Sequence, residues 1–83
     1  MRVSVISAER SVFDDEASAI VAPAYDGFVG ILPRHAPFLT LLGEGILKIS
    51  QGSGTIRLQV AGGFLQVADN VVRIVAGSAR PAE

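Results

Sequence analysis

Alternation with a period of two is the feature that most narrows what this chain can fold into. In Thr55-Ile56-Arg57-Leu58-Gln59-Val60, the apolar Ile56, Leu58 and Val60 share one side of an extended backbone, and Thr55, Arg57 and Gln59 share the other. That is the pattern of a half-buried antiparallel strand. Residues 71–76 repeat it, with Val72 and Ile74 opposite Val71, Arg73 and Val75. Residues 46–50 set Leu47 and Ile49 against Ile46, Lys48 and Ser50. No segment makes a convincing 3.6-residue apolar stripe, so no helix is expected.

The punctuation is equally regular. Gln51-Gly52-Ser53-Gly54 joins two alternating runs and reads as a hairpin loop with glycine supplying positive φ. Asp69-Asn70 reads as a second, tighter hairpin, and Gly62-Gly63 as a break or bend between two strands. Candidate strands are residues 3–7, 9–12, 17–22, 27–31, 38–42, 46–50, 55–61, 64–67 and 71–76. Turn signals recurring every eight to twelve residues or so indicate an all-β sandwich or flattened barrel. The cluster Asp14-Asp15-Glu16 reads as a solvated turn between strands.

Composition sets the scale. Eighty-three residues suffice for one small domain. Hydrophobic residues make up 49% and charged residues 18%, which excludes a disordered chain. A net charge of −1 argues against electrostatic capture of nucleic acid or anionic lipid. With no cysteine there is neither a disulfide framework nor thiolate chemistry. A chain this short buries only about 60–65% of its unfolded surface, so an unusually apolar core or a permanent partner is expected. No apolar run approaches the roughly 20 residues of a membrane helix. Residues 1–5 lack the apolar stretch and cleavage site of a signal peptide. The chain reads as soluble and cytosolic.

Catalysis finds little support. His35 is the only imidazole, and no metal-ligand spacing surrounds it. Ser7, His35 and Asp26 can be written as a nucleophilic trio, yet no nucleophile turn encloses the serine. No glycine-rich loop opens a helix that could cradle a phosphate. No cofactor and no metal are expected.

The most informative stretch is residues 23–40, which holds three of the four prolines, the histidine and the tyrosine. Pro33 and Pro37 fix φ and cannot donate to a ladder, so Arg34-His35-Ala36 must form a stiff corner outside the strands. Gly27 and Gly30 indicate tight backbone geometry before it. Rigid, irregular loops of this kind carry recognition. The plainer alternative is that His35 satisfies backbone groups within the corner, and Phe28 is equally readable as a partner anchor or a core residue.

Gly30-Ile31-Leu32-Pro33-x-His35-Ala36-Pro37-x-Leu39-Thr40 closely resembles the signature loop of the epsilon subunit of F-type ATP synthase, called delta in mitochondria. The likeness spans nearly the whole chain. Val5-Ile6-Ser7-Ala8-Glu9 with Val12-Phe13 is similar to that family's opening strand, and Gly45-Ile46-Leu47-Lys48-Ile49 to its middle strand. Ala61-Gly62-Gly63-Phe64-Leu65-Gln66-Val67 and Asn70-Val71-Val72 are similar to its closing hairpin.

The resemblance implies a β-sandwich of two five-stranded, mostly antiparallel sheets over residues 1–77, with residues 78–83 a flexible tail where the family continues into two helices. It implies a non-catalytic central-stalk subunit that couples gamma-subunit rotation to the c-ring of a proton-translocating synthase. The subunit would lie peripherally on the cytoplasmic face of a bacterial inner membrane, with membrane contact only through the complex. Position by position, Ser7, His35, Thr40 and Arg34 are implied gamma contacts. Asp26, Gly27, Phe28 and Val29 are implied contacts to the polar loops of the ring, with Gly30, Pro33 and Pro37 shaping the loop. Arg34 departs from the family, in which glycine is frequent there; if the position needs positive φ, arginine costs about 1 kcal/mol. Because the family's hydrolysis inhibition and nucleotide binding belong to the C-terminal helices, neither is expected here. The alternative from another class is a free-standing β-sandwich module for a small ligand or carbohydrate, although aromatic residues make up only 6% and none is tryptophan.

Overall fold

Each alternating run forms a strand in the computed structural model, which describes residues 1–8 and 10–82. In chain order these are β1 (Arg2–Ser7), β2 (Arg10–Glu16), β3 (Ala19–Ala24), β4 (Gly27–Ile31), β5 (Phe38–Leu41), β6 (Gly45–Gln51), β7 (Gly54–Ala68) and β8 (Val71–Pro81). Glu9, placed by the sequence at the start of the second strand, and Glu83 lie outside the described residues. No helix occurs among the described residues, so none is long and apolar enough to cross a membrane.

Hydrogen bonding links all eight strands into one network, ordered β2-β1-β8-β7-β6-β3-β4, with β5 also pairing β7. The expected pair of five-stranded sheets is present within it, because β7 and β8 are long enough to serve both layers. The second part of β7 pairs with β5, and the first part of β8 pairs with β1 in parallel. With β2, these segments form one layer. The first part of β7 pairs with β6 and with the last residues of β8. With β3 and β4, those segments form the other.

The crease between layers falls at Gly62-Gly63, both at positive φ (70° and 99°). A Cβ at Gly63 would collide with the Val75 carbonyl oxygen, so only glycine fits. The inward face changes there from even-numbered residues (Leu58, Val60) to odd-numbered ones (Leu65, Val67). The sequence reads two strands where the backbone makes one bent strand.

Both hairpins form as expected, but positive φ is distributed differently. The turn closed by Gln51 and Gly54 contains no glycine at positive φ; instead Asp69 and Asn70 adopt 51° and 62°. Two consecutive left-handed residues match the twist of the flanking strands, and Asp and Asn tolerate that region.

Two expectations are corrected. The tail over 78–83 is not free across its described part. Ser78, Ala79, Arg80 and Pro81 continue β8 opposite Ala61, Val60, Gln59 and Leu58, and the Ala82 amide donates to the Arg57 carbonyl at 3.0 Å. The exposed edge of β7 supplies backbone partners that outweigh the polar composition of the segment. Asp14-Asp15-Glu16 is the end of β2 and not a turn, paired with Ser4, Val3 and Arg2.

The core is aliphatic. Val3, Val5, Leu47, Ile49, Val60, Leu65, Val72 and Ile74 are fully or almost fully buried, contributed by both layers to one cluster. Each such side chain contributes about 1.5–3 kcal/mol relative to exposure.

Candidate functional site

The rim between edge strands β4 and β5 gathers most of the residues singled out from the sequence. The β3–β4 hairpin turns at Tyr25-Asp26, with Ala24 paired to Gly27, which pushes both turn side chains into solvent. Gly27 takes φ 135°, a conformation that side-chain-bearing residues rarely adopt. Phe28 follows at 71% exposure and is no core residue; its ring passes over Gly45. Hydrogen bonds from the Tyr25 amide to the Leu41 carbonyl (3.2 Å) and from the Gly43 amide to the Pro23 carbonyl (2.8 Å) tie this hairpin to the end of β5. The result is an open apolar groove of about 910 Å³, lined by Tyr25, Phe28, Val29, Leu39, Leu41 and Phe64, with Asp26 and Thr40 as its polar groups. Asp26, Phe28 and Val29 therefore share a surface with Thr40, although the family resemblance assigns them to different partners.

The structure separates the remaining residues. His35 and Arg34 occupy the corner over residues 32–37, beyond the groove. The His35 amide donates to the Leu32 carbonyl at 3.1 Å, its Nδ1 lies 2.8 Å from the Ala36 carbonyl oxygen, and its ring meets Phe38 edge-on at 5.7 Å. The backbone-satisfying role of His35 is thus real, and the ring remains half-exposed. Arg34 does take positive φ (66°), the strained geometry anticipated at that position. Pro33, Pro37 and Gly30 are exposed. Ser7 is buried beside Ala76 at the far end of β1. No hydrogen bond among the described residues joins Ser7, His35 and Asp26, which lie at the end of β1, in the corner and at the groove respectively.

A second surface was hidden from sequence reasoning. On the outer face of the β1–β8–β7–β5 layer, strand register aligns Ile6 with Val75, Val75 with Phe64, and Phe64 with Leu41. All four are solvent-exposed, at 38%, 37%, 40% and 62%. They form an apolar band across four strands that is continuous with the groove through Phe64 and Leu41. The signal in the sequence was weak: along β8, Val71 and Val75 flank Arg73 and are apolar on the face expected to be polar.

The opposite rim is polar. Arg2 pairs with Asp14 at 2.8 Å, and Gln51 Nε2 donates to Asp15 Oδ2 at 3.3 Å and to the Glu16 carbonyl at 2.8 Å. The Glu16 amide donates to Asp15 Oδ1 at 2.7 Å. This backbone hydrogen bond, assisted by Gln51, holds the Asp15 carboxyl below the ordinary carboxylate range. No cluster of His, Asp or Glu suited to a metal ion occurs among the described residues.

Against known proteins, residues 1–82 match the family described as ATP synthase, Delta/Epsilon chain, beta-sandwich domain. The chain is 42% identical over 82 residues to the ATP synthase epsilon chain of Pelotomaculum thermopropionicum, covering 99% of this chain and 61% of that one. It is 43% identical over 83 residues to the epsilon chain of Dehalococcoides mccartyi, covering 100% and 59%. It thus spans about three fifths of the length of these relatives. Among solved structures, a chain of the Euglena gracilis mitochondrial ATP synthase (OSCP/F1/c-ring) superposes with a TM-score of 0.88 at 27% identity, covering 95% of this chain and 51% of that one. A chain of the Tetrahymena thermophila mitochondrial ATP synthase central stalk and c-ring shares the fold, with a TM-score of 0.80 at 23% identity over 98% and 66%.

Proposed function

The chain belongs to the ATP synthase delta/epsilon family through its β-sandwich domain, and from that premise we propose that it is a non-catalytic central-stalk subunit of a proton-translocating F-type ATP synthase. It transmits torque between gamma subunit and c-ring from the cytoplasmic face of a bacterial inner membrane and has no membrane contact of its own.

The observation that carries this reading is the exposed band Ile6–Val75–Phe64–Leu41, continuous with the Phe28 groove. A small domain that leaves a row of aliphatic and aromatic side chains in water is built to be covered. A torque-bearing joint needs such a surface: largely apolar at its centre, polar at its rim and stiff. Gamma lies against the band and the corner: Arg34 and His35 supply the polar rim at the corner, Thr40 lies in the adjoining groove, and Ser7, buried at the end of β1, backs the far end of the band. The ring's polar loops meet the hairpin tip at Asp26, Gly27, Phe28 and Val29. Pro33 and Pro37 reduce the ordering cost of docking.

The test is retention on gamma and on the c-ring from detergent-solubilised membranes. Recovery of both at moderate salt is expected, and retention of neither refutes the proposal. The groove also keeps a small-ligand reading in play, which predicts a ligand-dependent rise in melting temperature and a monomeric mass with no retention.

A further inference from the structure

The corner over residues 32–37 must present Arg34 and His35, yet it belongs to no strand and two of its residues are prolines without an N–H. Its internal hydrogen bonds, from the His35 amide to Leu32 and at His35 Nδ1 to Ala36, brace it against itself only. Among the described hydrogen bonds, one leaves the segment. The Arg34 backbone N–H donates to Asn70 Oδ1 at 2.8 Å, across a separation of 36 residues. The residue so held is the one with unfavourable φ, and such a conformation persists only where surrounding contacts fix it.

Asn70 is well placed to do this. It occupies the second position of the Asp69-Asn70 turn at φ 62°, and its own carbonyl accepts the Arg2 amide at 3.2 Å. Its side chain is therefore mounted on the β7–β8 hairpin and on the start of β1, both rooted in the core.

We propose that Asn70 is a positioning residue: its side-chain oxygen clasps the Arg34 amide and fixes the corner that displays Arg34 and His35 to gamma. This rests on the functional reading above and names the device that pre-organises its docking corner. The competing explanation is that Asn70 serves the turn alone. The two requirements differ chemically. The turn needs a residue that tolerates positive φ, which glycine meets better than asparagine. The clasp needs an oxygen, which glycine lacks and aspartate retains.

Asn70→Gly and Asn70→Asp in the full chain therefore separate them, with Asn70→Gly keeping the hairpin. Two readouts are taken: amide hydrogen exchange at Arg34 in the free chain, and affinity for the gamma subunit of the same complex. The expected result for Asn70→Gly is exchange at Arg34 faster by about tenfold and gamma affinity lower by about three- to tenfold, as loss of one hydrogen bond implies. Asn70→Asp keeps both near the wild-type values. Unchanged Arg34 exchange in Asn70→Gly, or equal losses in both variants, overturns the clasp. Faster exchange with full gamma affinity overturns its part in docking. A wild-type chain that shows the exchange pattern but binds no gamma refutes the functional reading instead and leaves the clasp standing.

Discussion

At the rim where β2 faces the end of β6, every prominent side chain has a polar partner: Arg2 with Asp14, Asp15 with Gln51, and Ser18 with the Ser50 carbonyl at 3.1 Å. At the rim between β4 and β5, the prominent side chains are Tyr25, Phe28, Leu39 and Leu41, all more than half exposed. The first rim closes the sandwich with groups that water also satisfies, and its acidic edge strand discourages pairing with another sheet. The second leaves apolar surface in water at about 25 cal/mol per Å². One rim is finished by folding, and the other keeps the apolar surface on which the proposed partners dock.

The sharpest way to break this contrast is a pair of neighbours on β8. Ile74→Ala, at a fully buried site, should destabilise by about 2–5 kcal/mol, comparable with the whole stability of so small a core. Val75→Ala, one residue on and facing outward, should leave the urea midpoint nearly unchanged while weakening gamma binding. Equal effects on both readouts would erase the distinction. Gly63→Ala should cost about 2–4 kcal/mol in thermal melts, because the new methyl meets the Val75 carbonyl and φ is 99°.

Phe64→Asp places a charge in the middle of the apolar band. Affinity for gamma should fall by at least about thirtyfold in a titration, the size of a central hot spot, with the free chain melting within a few degrees of wild type. Phe28→Asp and His35→Ala should each weaken assembly by about five- to tenfold and affect the isolated fold less. A matching loss of melting temperature in the free chain would reassign them to the fold.

The smallest effect belongs to the polar rim. Because the folded-state pKa of Asp15 lies below the ordinary 3.8, its contribution is present above that value and lost as pH falls through the lower folded value. Asp15→Asn should flatten the acid limb of the urea midpoint between neutral pH and pH of about 3, slightly because the carboxylate is exposed. A limb of unchanged slope would mean that the Glu16 and Gln51 contacts do not favour the charged form.

Much of this was legible because it is local. The inward sets Leu47/Ile49, Leu58/Val60 and Val72/Ile74 follow from alternation, and β4 spans the residues expected of it. The Asp69-Asn70 turn and the Pro33–Pro37 corner follow from φ preferences of single residues. What escaped was non-local. Neither the extension of β8 to Pro81 nor the strand formed by Asp14, Asp15 and Glu16 can be read from composition, because each depends on a backbone edge supplied by a distant segment.

Alone, the order of residues determined that this chain makes strands, which side of each strand is apolar, and where the backbone must turn, since a pleat of period two and the steric limits on glycine and proline act within a few residues. Only the tertiary structure decided that Ile6, Val75, Phe64 and Leu41 stand in one row and that Asn70 reaches Arg34. Register between strands far apart in sequence is set by closure of the whole core, and no single segment contains it.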